Sequence, residues 1–172
     1  LTDLANVDEL TGLGNRRLAN SVLQEEINRS RRSGSELSII LLDVEYFKNY
    51  NDTYGHPAGD VVLQKLADLM QRAATRAGEV VARYGGEEFI LVLPGASASS
   101  ALRTANRLRD LVVSEDIPHE SSKSADFITV SQGVATMPPE IRKLTDRPFG
   151  VNFLMDAPGA DVIIEAIIRQ KV

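Results

Sequence analysis

Residues 79–93 leave the chain little choice of local structure. Two strand-like runs, Glu79 to Tyr84 and Glu87 to Leu93, flank Gly85-Gly86. Short runs joined by a two-residue glycine turn form an antiparallel hairpin. The same tip carries adjacent carboxylates, Glu87 and Glu88. Chemistry that handles phosphates with a hard metal ion needs carboxylates on rigid backbone, and a hairpin tip is rigid. A third carboxylate, Asp43, ends a separate apolar run, Leu37 to Leu42, which reads as a strand buried on both faces.

Helical signals surround these runs. Asn15 caps a helix expected from Arg16 to Arg32, with Leu18, Val22 and Ile27 on one stripe and Ser33-Gly34-Ser35 at its end. Glu45 to Tyr54 is polar and aromatic without a clean period and reads as a loop. A helix follows from about Pro57, with Val62, Leu66, Leu69 and Ala73 inward. Ser97 opens another, with Ala101, Ala105, Leu108 and Val112 inward, and Phe127 to Met137 reads as a strand. The 172 residues suit one domain with a real core. A net charge of −5 argues against a nucleic-acid surface but leaves small phosphate ligands open. The absence of cysteine excludes disulfides and thiolate metal sites and fits a cytoplasmic location. No run is long and apolar enough for a membrane span. Leu1 is not an initiator methionine, so an upstream domain is expected.

Strand ends are where ligands collect in mixed α/β sheets. If the hairpin pairs beside the Leu37–Leu42 strand, Glu87 and Asp43 converge. With the Val44 backbone carbonyl they make an oxygen-rich site suited to Mg²⁺, which keeps several waters and takes phosphate oxygens. Taken singly, each acid reads more readily as a solvated strand-end residue. The combination with other blocks changes that reading. Asp8-Glu9-Leu10-Thr11-Gly12-Leu13-Gly14-Asn15-Arg16-Arg17 precedes the first helix, and Asp43-Val44-Glu45-Tyr46-Phe47-Lys48-Asn49-Tyr50-Asn51-Asp52 follows the first strand. Gly55-His56-Pro57-Ala58-Gly59-Asp60 opens the second helix, Arg83-Tyr84-Gly85-Gly86-Glu87-Glu88-Phe89 forms the tip, and Ser131-Gln132-Gly133-Val134-Ala135 lies in the late strand. In this order and spacing the blocks resemble the GGDEF family of diguanylate cyclases over about residues 3–137.

The resemblance implies an α+β fold, a nucleotide-cyclase or polymerase palm with a central, mostly antiparallel sheet flanked by helices. It implies the condensation of two GTP into cyclic di-GMP by two facing domains, hence a homodimer, with Mg²⁺ as cofactor, Mn²⁺ as its substitute and no flavin. Asp43, the Val44 carbonyl and Glu87 match the metal positions. Glu87, Glu88 and Lys48 match the catalytic ones, with the proton acceptor undivided between the two glutamates. Phe47 and Lys48 match a phosphate-holding loop, and Asn51 and Asp60 the guanine-reading pair. Leu10 matches the base-pocket wall and His56 a ligand contact. Plainer readings stay open: Lys48 as a surface lysine, Asn51 as a turn residue, Asp60 as a first-turn acid favoured by the helix dipole, Leu10 as core and His56 as a helix-start residue. Arg76 and Glu79 match an inhibitory product site in which glutamate replaces the family's aspartate, so inhibition is expected to be weakened.

The family pattern stops near Met137. The expected terminal helix with its phosphate-reaching lysine and arginine does not align with Ala160 to Val172. Residues 138–172 read instead as a strand, a Pro-Gly turn and a helix, an atypical segment packing on the 1–137 domain. They weakly resemble a strand–helix unit of a nitronate monooxygenase-type flavin barrel. Loss of those cations leaves a second reading: a GGDEF-like module that binds GTP or cyclic di-GMP with little turnover.

Overall fold

The computed structural model describes residues 4–137 and 152–154. After a 3-10 turn at Leu4–Asn6, the elements run α1 (Arg16–Ser33), β1 (Leu37–Val44), α2 (Phe47–Tyr54), α3 (His56–Ala73), β2 (Val80–Arg83), β3 (Glu88–Pro94), α4 (Ala98–Ser114), β4 (Val130–Met137) and β5 (Asn152–Leu154). The strands form one sheet in the order β2-β3-β1-β4-β5, with every neighbouring pair antiparallel. The expected α+β sheet flanked by helices is therefore present.

β1 lies at the centre because both of its faces are apolar. Leu37 and Leu41 pack with Ile90 and Val92 of β3 against Ala19, Val22, Leu23 and Ile27 of α1. Ile40, Leu42 and Val44 pack with Phe89, Leu91 and Leu93 against α3 and α4. Such alternation is the period-2 pattern of a strand with both faces covered. The inward positions expected on α3 (Val62, Leu66, Leu69, Ala73) and α4 (Ala101, Ala105, Leu108, Val112) are all buried.

The helix ends follow their capping residues. Asn15 Oδ1 accepts from Leu18 N–H at 3.1 Å, and Ser97 Oγ from Ser100 N–H at 3.3 Å. Gly34 closes α1 at φ 69°, a left-handed geometry that glycine takes without steric cost, with its N–H on the Ser30 carbonyl.

Three expectations need correction. Residues 45–54 are not all loop, because Phe47–Tyr54 is the helix α2. Phe47, Tyr50 and Tyr54, spaced at i, i+3 and i+7, pack on the core, and that tertiary burial stabilises a helix whose polar sequence shows little period of its own. Second, the hairpin turn is wider than Gly85-Gly86. Four residues, 84–87, connect β2 to β3, and neither glycine has positive φ. The turn closes through Tyr84 N–H and Gly85 N–H on the Glu88 carbonyl at 2.8 and 3.2 Å. Gly85 serves close approach instead: a Cβ there would stand 2.3 Å from Glu88 Oε2. Third, β4 begins at Val130, and Phe127 makes only an isolated bridge to Pro118.

β5 falls within the strand expected after residue 138 and pairs with β4, Ala135 opposite Phe153. The Pro-Gly turn and helix expected over 156–172 lie outside the described residues. Among the described residues no helix is long and apolar enough to cross a membrane.

Candidate active site

The pairing of β1 with β3 sets Asp43 directly opposite Glu88. Glu87, next in the chain, sits in the turn, half-buried. The convergence expected for Asp43 was with Glu87; the register sets it against Glu88, with Glu87 in the adjoining turn and its charge felt at Asp43. Burial raises the Asp43 carboxyl, and the charges of Glu87, Glu88 and Glu45 add to it, bringing it to about 6. Burial and Glu88 likewise raise Glu87. Carboxylates desolvated together without compensating cations repel, and their protonated forms gain.

That repulsion is the test of whether a cation fits. Among the described residues no three His, Cys, Asp or Glu side chains stand close enough to enclose a metal unaided. Two carboxylates and a backbone carbonyl, with the remaining positions left to water or phosphate, form a donor set that a hard divalent ion accepts. Such an ion would also relieve the repulsion on Asp43. The residues fit a divalent metal.

Glu45 has another role. Its carboxylate accepts from Thr129 Oγ1 and Ser131 Oγ, each at 2.6 Å, and its N–H donates to the Thr129 carbonyl at 3.0 Å. Burial pushes this carboxyl up, but hydrogen bonds from Ser131, Thr129 and Ser124 outweigh it and hold the group below its ordinary value. Glu45 thus latches the turn after β1 to the start of β4. Only its spacing two residues after Asp43 hinted at it in the sequence.

The first turn of α2 carries Phe47 and Lys48. The Phe47 ring is buried in the core, so only its backbone is available to a ligand, whereas Lys48 is exposed. One turn on, the Asn51 side-chain oxygen is buried with no hydrogen-bond partner. It lies against Gly59 of α3, where an added Cβ would stand 1.9 Å away. Asp60, the next residue, is exposed. Because α3 starts at His56, Asp60 is beyond the first helical turn, which weakens its reading as a dipole-favoured acid. One turn after Asp60, Gln64 Nε2 donates to the Leu10 carbonyl at 3.1 Å, and Leu10 packs partly buried on the core. Asn51 thus lies against Gly59, Asp60 follows Gly59 exposed on α3, and Leu10 is tied to the same helix through Gln64, while His56 is exposed at the start of α3.

Arg76 and Glu79 lie at the other end of β2 from the tip. Glu79 Oε2 accepts from Arg76 N–H at 3.0 Å, so the glutamate folds back on its own turn. Both line an open cleft of about 660 Å³ with Arg103 and Arg107 of α4.

Sequence reasoning assigned no role to Asp8 and Arg83, although both stand in the matching blocks. Arg83 donates to both Asp8 oxygens at 3.3 Å and to the Gly86 carbonyl at 2.7 and 3.1 Å. Burial raises Asp8, but hydrogen bonds from Thr11 and the Arg83 charge outweigh it and lower its pKa. The guanidinium thus ties the loop before α1 to the carboxylate tip.

The family model described as "Diguanylate cyclase, GGDEF domain" matches residues 5–147, ten residues past Met137. The chain is 39% identical over 139 residues to Diguanylate cyclase A of Treponema denticola, covering 79% of this chain and 37% of that protein. It therefore spans little more than a third of that relative's length. Among solved structures, the GGDEF domain of DgcB from Caulobacter crescentus, determined in complex with c-di-GMP, is similar at TM-score 0.71 and 33% identity, covering 81% of this chain and 79% of that one. The active GGEEF domain of a diguanylate cyclase from Vibrio cholerae is similar at TM-score 0.62 and 32% identity, covering 73% and 77%. These comparisons lend no support to the flavin-barrel likeness of the tail.

Proposed function

The chain belongs to the GGDEF family of diguanylate cyclases, and from that premise we propose that it condenses two GTP into cyclic di-GMP. The observation that carries the proposal is the set of carboxylates gathered at the sheet end, Asp43 with Glu87 and Glu88, whose charges raise the Asp43 carboxyl. Asp43, the Val44 carbonyl and Glu87 would hold Mg²⁺, which supplies charge neutralisation on the triphosphate. Lys48 and the first-turn N–H groups of α2 bind the β- and γ-phosphates. Asn51 and Asp60 read the guanine edge, where a carboxylate accepts from N1–H and the 2-amino group that adenine lacks. Asn51 lies against Gly59, the residue before Asp60, which supports the two acting as a pair. Leu10 walls the base.

In each half-reaction the 3′-hydroxyl oxygen of one GTP bonds to the α-phosphorus of the other. Pyrophosphate leaves, and Glu87 or Glu88 takes the hydroxyl proton. Each domain holds one nucleotide, so two copies must face each other. GTP as substrate places the working domain in the cytoplasm. The self-closed Arg76–Glu79 turn leaves Glu79 poorly placed to bind product, so inhibition there is weak. Incubation with GTP and Mg²⁺ is expected to release cyclic di-GMP and pyrophosphate in a 1:2 ratio. Tight GTP binding with no product would replace the cyclase with a nucleotide-binding module.

A further inference from the structure

α2 carries Lys48 and Asn51; Phe47 and Tyr50 anchor it on the core, but its own backbone does little to fix its start. It has eight residues, and its N-cap, Tyr46, is left-handed at φ 55° and makes no side-chain capping bond. A helix this short depends on its surroundings. Behind it runs the segment 117–128, closed on itself by His119 N–H on the Asp126 carbonyl and Ile128 N–H on the Ile117 carbonyl, both at 2.8 Å.

This segment meets α2 along one face. His119 Nε2 lies 3.1 Å from the Tyr46 carbonyl, and its ring sits edge-on to Tyr50 at 5.2 Å. Ser121 Oγ donates to the Asn49 carbonyl at 3.1 Å, and Glu120 N–H donates to Tyr54 Oη at 3.1 Å. Positions 46, 49, 50 and 54 share a helical stripe, and Lys48 falls on the opposite side.

His119 is fully buried. A carbonyl only accepts, so Nε2 carries the hydrogen, and Nδ1 is left buried without a partner. An apolar side chain would fill the same space without an orphan nitrogen, so what the imidazole adds is its donor. We propose that segment 117–128 is a strap that positions α2, and that His119 is a positioning residue acting on nucleotide binding through the Tyr46 carbonyl. The nucleotide-binding part rests on the GTP reading above; the strap itself does not.

The test compares wild type with His119→Leu, which removes the donor, and His119→Gln, whose amide can reach the same carbonyl. In His119→Leu, amide hydrogen exchange is expected to speed up over residues 46–54 while β1 and β3 stay protected. KM for GTP is expected to rise about five- to tenfold, with kcat within about twofold, and His119→Gln to recover most of the loss. Should His119→Leu fail to fold, Ser121→Ala removes a second tie at the partly exposed edge of the strap, with accelerated exchange in α2 and a raised KM again expected. Unchanged exchange over 46–54 with unchanged KM overturns the proposal. So does a loss of protection spread evenly over the sheet that glutamine does not rescue. If wild type neither binds nor turns over GTP, the GTP reading falls, and the exchange data alone decide the strap.

Discussion

Asp43 shows at the residue scale how an acid placed where the proposed ion would bind burdens the fold without one. Its carboxyl is raised from 3.8 to about 6 by burial and by Glu87, Glu88 and Glu45. An acid with a raised folded-state pKa binds its proton more tightly folded than unfolded. Its contribution to stability is therefore full below about 3.8 and lost as pH rises through about 6. At pH 7.5 in chelator, Asp43→Asn is expected to melt a few degrees higher than wild type. Mg²⁺ should raise the wild-type Tm at pH 7.5, raise it little at pH 5, and leave the variant almost unmoved. An equal Mg²⁺ shift in wild type and variant would remove Asp43 from the metal site. Glu87→Gln is expected to lower the cyclisation rate by roughly a hundredfold or more with an unchanged far-UV spectrum. Near-wild-type turnover would move the chemistry elsewhere on the tip.

At the element scale, the two helices that carry the proposed guanine-reading pair touch through a glycine. A Cβ on Gly59 would meet Asn51 Oδ1 at 1.9 Å and Phe47 Cζ at 3.1 Å. Gly59→Ala gains helix propensity on α3, about 1 kcal/mol. The overpacking against α2 costs about 1–3 kcal/mol and wins. A lowered Tm is expected, with GTP affinity falling at least about tenfold because Asn51 is pushed from its place. Unchanged affinity, measured by calorimetry well below Tm, would mean Asn51 does not read the base. α2 was also the element that sequence reading lost. Its aromatic spacing was visible, but Asn49, Asn51 and Asp52 weakened the helical pattern, and what compensates is burial of Phe47 and Tyr50 together with the strap behind them. α1, α3 and α4 were legible because each declares its start locally, by the caps Asn15 and Ser97 on α1 and α4 and by Pro57 in the first turn of α3, and each carries an apolar stripe.

For the molecule as a whole, the proposed mechanism, with one nucleotide held per domain, requires a second copy facing the first. The rate of cyclic di-GMP formation at saturating GTP should rise faster than linearly with protein concentration in the range where the chain is mainly monomeric, approaching second order. A strictly linear dependence there, with a monomer seen by light scattering, would exclude the two-domain mechanism.

The sequence by itself determined the hairpin, the buried central strand, the starts of three helices and the end of the first, and the blocks that identify the family, because capping, periodicity and turn chemistry act between residues close in the chain. Only the tertiary structure decided the register that sets Asp43 opposite Glu88, the helix at Phe47–Tyr54, the Glu45 latch on β4, and the ties from Arg83 to Asp8 and from His119 to Tyr46. Each of these joins residues far apart in the chain, or depends on burial that only the packed domain supplies. Desolvation and repulsion among acids brought together by folding follow from proximity in space, which local sequence does not encode.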